Sequence, residues 1–348
     1  MRVSKSGNSD EFLTLTVETE DDLWYLSNII EPGDQIRATV MRRVEQQSDM
    51  TRSKETGRKP MTVTVSVESC TFQDFSGVLK VLGTVSSGPD DAVGSYQSIN
   101  INPGTSIDIW KPAWSQEQRN LLKEAEEQTF SEGTYFISCD EEEAQLFQLR
   151  TYGIRPLGKV ESGRTGKYYD SADTTAKYFE NVRELVRKYV PKGSVLIVLG
   201  SQFTAESLTK QLSSDNSMML KIIFFPTSRT DEGAVYEFLR SEKGAETVKN
   251  ARIARDASLL NAFLIHLRSD GKATYGYEQV KGSVELGAVE TLLITDREFR
   301  TSRGRELLEL ASNSGATVHV ISTSNDGGKM LTGFGGVAAI LRYVTGAT

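Results

Sequence analysis

Histidine and cysteine are scarce in this chain, and their scarcity narrows its chemistry. Its only histidines are His266 and His319. His266 lies in Phe263-Leu264-Ile265-His266-Leu267 and His319 between Val318 and Val320, and neither has a carboxylate or serine spaced to complete a nucleophilic triad. Both read as structural, so acid–base catalysis of the common histidine type has little to draw on. The two cysteines, Cys70 and Cys139, lie far apart in apolar, strand-like runs. That spacing speaks against a disulfide framework or a thiolate metal site and for buried thiols in a reducing compartment. Long apolar runs are also missing. No stretch approaches the ~18 residues of a membrane span, and Met1-Arg2-Val3-Ser4 is not followed by the core of a signal peptide. The expectation is a soluble, cytoplasmic protein without membrane contact. Positive charge is in deficit, with 40 Lys and Arg against 47 Asp and Glu, a formal charge of −7. Such a chain does not coat nucleic acid nonspecifically, so any RNA contact should be local.

Against that acidic background one stretch is basic. Residues 35–44 read as a strand that ends on Arg42 and Arg43. After Gln46-Gln47-Ser48-Asp49-Met50-Thr51 comes a cationic tip with Arg52, Lys54, Arg58 and Lys59. Beyond Pro60, Thr62-Val63-Thr64-Val65-Ser66-Val67 alternates again. Alternation on both sides and none between predicts a long loop on an antiparallel pair. A Lys/Arg finger suits a polyanion, because phosphate contacts release counterions without demanding a fixed shape. The competing reading is a solvated loop whose charges keep sheet edges from associating.

With 348 residues the chain has room for two or three domains of roughly 100–200 residues each. The first block is mostly β. Leu13, Leu15 and Val17 alternate with threonines. A short helix follows, with Thr19 as N-cap, Asp22 three residues on, and a stripe of Leu23, Leu26 and Ile30 before Pro32-Gly33. Residues 70–85 turn at Asp74-Phe75-Ser76-Gly77, and strands at 96–101 and 106–110 flank Asn102-Pro103-Gly104-Thr105. Several short strands with one leading helix predict a small closed barrel. A helix over 115–129 bridges to an α/β block. There, strands are expected at 134–138, 144–149, 195–199 and 221–225, helices at 175–189 and from Ala205, and a loop over 152–168. A third block opens with a helix over 252–267. It continues with strands at 273–275, 291–295, 317–321 and 337–343 and helices at 278–286 and 304–314, a compact α/β sandwich.

Three stretches invite a chemical reading. Ser162-Gly163-Arg164-Thr165-Gly166-Lys167 resembles half of a phosphate loop, but two residues rather than four separate its glycines and Tyr168 follows the lysine. It is rejected as a nucleotide site and kept as a surface loop able to touch RNA phosphate through Arg164 and Lys167. Glu18, Glu20, Asp21 and Asp22 could supply carboxylates for a divalent cation that assists phosphodiester cleavage. Equally, acids in a helix's first turn complement its dipole, at ~0.3–1 kcal/mol each. Asp140, Glu141, Glu142 and Glu143 read as a solvated turn.

Several stretches in order carry a resemblance that spans nearly the whole chain. They are Leu23-Trp24 with Asn28-Ile29-Ile30 and Gly33-Asp34, Gly104-Thr105 with Trp110-Lys111, and Lys177-Tyr178-Phe179-Glu180. Ala273-Thr274-Tyr275-Gly276 with Val280, Gly287-Ala288-Val289-Glu290-Thr291-Leu292-Leu293, and the run from Gly335-Gly336-Val337 to Leu341-Arg342-Tyr343 complete the set. In this order they resemble the archaeal Pelota family, paralogues of the class-one peptide-chain release factors. The resemblance implies a multidomain α/β and β fold. An Sm-like RNA-binding β-barrel would occupy residues 1–126 and a central α/β domain 127–245. A C-terminal α/β sandwich over 246–348 would be like the kink-turn-binding ribosomal proteins and release-factor domain three.

The implied function is rescue of stalled ribosomes and no-go mRNA decay. A monomer would enter the empty A site with an elongation factor 1-alpha-type GTPase and promote subunit dissociation with a ribosome-recycling ABC ATPase. Arg42, Arg43, Arg52, Lys54, Arg58 and Lys59 would meet rRNA or mRNA, Arg164 and Lys167 would be further RNA contacts, and Pro103, Gly104 and Thr105 would face the GTPase. The release factors' Gly-Gly-Gln and Asn-Ile-Lys-Ser motifs are absent, so stop-codon reading and peptidyl-tRNA hydrolysis are not expected. Ser228-Arg229-Thr230-Asp231-Glu232-Gly233 departs from the Ser-Ser-Gly-Gly-like run of other members. The alternative the resemblance carries is a divalent-metal-dependent endoribonuclease, with Asp21 and Asp22 as its acids and a divalent metal cation as cofactor.

Overall fold

The computed structural model describes residues 1–4, 12–43, 58–89, 92–128, 133–163, 172–215, 217–248, 251–269 and 271–345. Contacts divide the chain into two compact units, Met1–Phe130 and Ser131–Thr348.

The first unit contains β1 (Arg2–Ser4), β2 (Phe12–Thr16), α1 (Glu20–Ile29), β3 (Gln35–Arg43), β4 (Arg58–Gln73), β5 (Val78–Ser87), β6 (Tyr96–Ile101), β7 (Ser106–Trp110) and α2 (Gln116–Gln128). The strands form one sheet in the order β1-β2-β7-β3-β4-β5-β6. Every pairing in it is antiparallel. Period-two alternation explains the core. Leu13, Leu15, Ile36, Ala38, Val63, Val65, Leu79, Val81, Ile107 and Ile109 all turn to the buried face. The closed barrel expected from the sequence is not closed by pairing. Among the described residues, β1 and β6 are the ends of the sheet and share no ladder.

Two further expectations for this unit change. Helix α1 has no single apolar stripe, because every residue from Asp22 to Ile29 is buried. Trp24 and Tyr25 fill the sides that an amphipathic helix would leave wet, and α2 packs against it. The β3–β4 ladder also runs further than the alternation suggested. It continues through Met41↔Pro60 and Arg42↔Lys59 to Arg43↔Arg58. Arg58 and Lys59 are therefore strand residues, not part of the loop tip. Pro60 hid this, since proline lacks a ladder donor yet is tolerated where its position needs none.

The second unit holds two sheets. The central one contains β8 (Thr134–Cys139), β9 (Glu143–Leu149), β10 (Ile154–Glu161), β11 (Val195–Gly200) and β12 (Lys221–Pro226), in the order β10-β9-β8-β11-β12. β11 is parallel to both neighbours, while β9 and β10 are antiparallel additions. α3 (Ala172–Tyr189) and α4 (Gln202–Ser213) cover one face through Phe179, Val182, Val186, Leu208 and Leu212. On the other lie α5 (Glu232–Leu239), α6 (Glu242–Thr247) and the start of α7 (Arg252–Ser269), through Val235, Phe238, Leu239 and Ile253. Covering on both faces explains the unbroken apolar run of β11. Strand β10 lies where a loop was expected. Pro156 and Gly158 break its alternation, and the ladder slips between them. Bulge and proline both suit an edge strand.

The last sheet, order β13-β16-β14-β15, is built from β13 (Ala273–Tyr275), β14 (Val289–Thr295), β15 (Thr317–Ile321) and β16 (Val337–Leu341). Around it are α8 (Tyr277–Glu285), α9 (Asp296–Phe299), α10 (Ser302–Asn313) and α11 (Asp326–Gly333); α9 and α11, short or glycine-rich, were not expected from the sequence. Helix α7 serves both sheets, with Ile253 and Ala254 in the central core and Leu260 and Phe263 in the C-terminal one. Polar ties add to this. The Arg252 guanidinium donates to the Val320 carbonyl, and the Asp326 N–H donates to Tyr236 Oη at 3.1 Å. The single covalent helix and these ties account for the two sheets forming one compact unit.

Candidate functional site

The exposed face of the β3–β4 ladder is the first candidate. Gln35, Arg37, Thr39 and Met41 point outward from β3 while their neighbours are buried. Lys59 is exposed on β4, opposite Arg42. At the sheet centre the pattern is fixed. Arg37 Nε donates to Asp108 Oδ2 at 2.7 Å, Thr14 Oγ1 donates to Asp108 Oδ1 at 2.7 Å, and the Arg37 guanidinium lies 5.3 Å from the Trp110 ring centroid. Trp110 in turn packs on Phe12, ring centroids 4.6 Å apart. The base of the hairpin is thus anchored, and the ladder carries Arg43 and Arg58 out as cross-strand partners. Arg52 and Lys54 lie outside the described residues, as do Arg164 and Lys167.

The turn at 102–105 is preformed. Gly104 N–H donates to the Val17 carbonyl at 2.7 Å, and Val17 N–H donates to the Thr105 carbonyl at 2.9 Å. Asn102 N–H donates to Thr105 Oγ1 at 3.1 Å. Gly104 has φ +91°, which only glycine adopts without cost, and a Cβ there would meet nothing within 4 Å. Pro103 and Gly104 are exposed. The glycine therefore serves the turn's backbone and leaves an open surface.

The acidic start of α1 is arranged for structure. Asp22 is buried, and its Oδ2 accepts from Glu18 N–H at 2.7 Å and Thr19 N–H at 3.0 Å. The same oxygen lies 2.9 Å from the buried α-ammonium of Met1. The half-buried Glu18 carboxyl is held below its ordinary range, first by its bond from Arg2. Asp21, in the same helical turn, is half-buried. No group of three or more His, Cys, Asp or Glu side chains is placed to hold a metal ion among the described residues. The residues at this helix start therefore do not fit a divalent-cation centre, and Asp22 acts as a helix-start residue. Asp140 likewise serves a turn, accepting from Glu142 N–H at 2.7 Å and Glu143 N–H at 2.8 Å.

The opposite end of α1 holds a residue to which the sequence, beyond its place in the Trp110-Lys111 match, gave no role. Lys111 is buried, and its Nζ donates to the Ile29 carbonyl at 2.8 Å and to Asp34 Oδ2 at 2.6 Å, with Glu31 Oε2 at 3.3 Å. Burial raises the Asp34 carboxyl above its ordinary range, and the Lys111 bond works against that rise. Lys111 comes together with Ile29 and Asp34 only across a sequence gap, so no local pattern marks it. The cysteines divide. Cys70 is half-buried rather than buried, while Cys139 is buried and desolvation pushes its thiol up to about 12. No described helix is long and apolar enough to cross a membrane.

With this geometry in place, comparison with known proteins decides the family. Residues 1–126 match the family described as Pelota N-terminal domain, and residues 253–345 match eRF1 domain 3. The chain is 38% identical over 343 residues to the protein pelota homolog of Thermoplasma acidophilum, which covers 99% of each chain. This chain belongs to the Pelota family. It is 32% identical over 342 residues to the homolog of Methanosarcina acetivorans, covering 96% of each. The crystal structure of Thermoplasma acidophilum Pelota superposes with a TM-score of 0.78 at 33% identity, covering 99% of this chain and 100% of that one. S. cerevisiae Dom34 has the same fold at a TM-score of 0.54 and 20% identity, covering 100% of this chain and 99% of that one. The multidomain β and α/β architecture expected from the resemblance is the one found.

Proposed function

We propose that this chain is a ribosome-rescue factor that enters the empty A site of stalled ribosomes and promotes subunit dissociation and no-go mRNA decay. The observation that carries this reading is coverage. The match to the Thermoplasma acidophilum homolog runs over 99% of both chains, which supports likeness to a whole Pelota relative rather than to one borrowed module. The chain works by binding and wedging in this reading, and it lacks the Gly-Gly-Gln tripeptide needed to hydrolyse peptidyl-tRNA.

The roles distribute over the surfaces described. The β3–β4 hairpin, with Arg42, Arg43, Arg52, Lys54, Arg58 and Lys59, enters the decoding region and meets rRNA or mRNA. The exposed turn Pro103-Gly104-Thr105 faces an elongation factor 1-alpha-type GTPase. For comparison, S. cerevisiae Dom34 is a translation termination-like factor that interacts with Hbs1. A ribosome-recycling ABC ATPase completes the reaction. Within the second unit, a division near residue 245 separates the central domain from the C-terminal one. The site of action is the cytoplasm, and the factor acts as a monomer.

The test is ribosome binding by a variant with Arg52, Lys54, Arg58 and Lys59 all replaced by alanine. Losing phosphate contacts should weaken binding and flatten its salt dependence. Binding unchanged at every salt concentration would overturn the assignment of the hairpin.

A further inference from the structure

A second cationic surface, not marked by the family resemblance, sits at one end of the central sheet. Helix α3 ends there with Arg187, Lys188 and Tyr189. The chain then turns through Pro191-Lys192-Gly193 into β11. Two backbone bonds pin this turn to the start of β12. Gly193 N–H donates to the Met219 carbonyl at 3.1 Å, and Lys221 N–H donates to the Ser194 carbonyl at 3.1 Å. Lys221 is also the register partner of Val195. Three exposed lysines, Lys188, Lys192 and Lys221, are thereby gathered at the same end of the sheet from segments about thirty residues apart.

Their lack of partners is the informative feature. Arg187 is matched, 2.6 Å from Asp215 and 3.8 Å from Glu180. None of the three lysines has an acidic partner among the described residues. Helix-dipole complementarity accounts for cations in the last turn of α3. It does not account for Lys192 and Lys221, which lie outside the helix. In a chain of net charge −7, uncompensated cations gathered by the fold are a local exception.

Two apolar groups accompany them. The Lys188 ammonium lies 4.9 Å from the ring centroid of the partly exposed Tyr189. Met219 is 70% exposed and has φ 50°, the one non-glycine residue at positive φ among the described residues. A side chain there is strained, and the one present is an unbranched, polarisable group exposed to water beside the lysines.

We infer that Lys188, Lys192 and Lys221, with Tyr189 and Met219 beside them, form a second RNA-backbone contact, directed at phosphates. Ammonium groups act as point charges toward phosphate and need no bidentate pocket, and none of the contacts here builds one. The occupant's identity as RNA rests on the ribosome-binding reading above. The hairpin of the first unit and this surface of the second would give the factor two separate anchors.

The experiment uses the full chain and a 20-base-pair RNA duplex of mixed sequence, with affinity measured across a salt series. Lys188→Ala, Lys192→Ala and Lys221→Ala are combined. A control combines Lys80→Ala, Lys123→Ala and Lys329→Ala, which changes net charge equally. The expected result is weaker duplex binding by the first variant alone. Its slope of log affinity against log salt should be shallower by about two to three, as three lost phosphate contacts require. Equal effects of the two variants, or none, would overturn the inference. So would polyglutamate of matched charge binding through the same lysines as tightly as the duplex, which would assign the surface to an acidic protein. Because the probe is isolated RNA, a null result here leaves the hairpin's ribosome test standing, and the reverse also holds.

Discussion

The two ends of α1 and the basic end of the central sheet handle charge in opposite ways. Around α1 the key charges are buried and matched. Asp22 accepts two backbone N–H groups and the Met1 ammonium, and Lys111 satisfies the last carbonyl of the helix together with Asp34. At the central sheet, Lys188, Lys192 and Lys221 are exposed and lack an acidic partner among the described residues. The difference teaches where to look for function. A charge consumed by its own fold stabilises that fold, and a charge left over is available to a ligand. In sequence the acidic run at Glu18–Asp22 drew a chemical reading beside the structural one, and Lys192 and Lys221 drew none.

The comparison can be broken first at its buried side. Lys111→Ala should cost about 3–5 kcal/mol, because it leaves Asp34 uncompensated in the core; thermal or urea unfolding measures it. The pH dependence has a definite sign. Asp34 already has a raised folded-state pKa, and losing Lys111 removes a group that holds it down. A raised carboxyl binds more protons folded than unfolded, so the variant's stability should fall as pH rises from about 4 through the folded-state value. Stability rising over that window would contradict the assignment. Asp22→Ala should follow, at about 3 kcal/mol, because it removes a partner 2.9 Å from the Met1 ammonium, whose contacts to the Ala125 carbonyl and Glu18 are longer at 3.5 and 3.6 Å, and leaves two helix-start N–H groups without their acceptor. A catalytic acid with no structural duty would instead leave stability nearly unchanged.

The exposed side is sharpened by smaller effects. Met219→Gly should raise stability by about 1 kcal/mol, since glycine takes positive φ freely. If the side chain serves RNA, the same variant should bind a duplex less well despite being more stable. Smallest is Arg37→Ala. Its pair with Asp108 is half-exposed, so the loss should be no more than about 1 kcal/mol; a denaturation midpoint resolves it.

Much of the fold was legible because side-chain alternation and turn chemistry are local. The bounds of β6 and β7, the turn at 102–105 and the β3–β4 hairpin all followed from short-range pattern. Strand β10 was missed because Pro156 and Gly158 erase alternation while an edge ladder still forms. Charge was harder to read. That Asp22 is consumed depends on Met1 arriving beside it, and Lys111 meets Asp34 only after five strands intervene. The gathering of Lys192 and Lys221 needs the parallel β11–β12 pairing, which no single stretch encodes. The family resemblance supplied what pattern alone did not, a function to expect of the three blocks.

The central claim is that this chain rescues ribosomes by binding rather than by cutting RNA. The most direct test adds it, with an elongation factor 1-alpha-type GTPase and a ribosome-recycling ABC ATPase, to ribosomes stalled on end-labelled mRNA, and resolves the products on a sucrose gradient. Separated subunits with full-length mRNA are the predicted result. Shortened mRNA that becomes full-length again when Asp21→Asn and Asp22→Asn are introduced into a still-folded protein would contradict it.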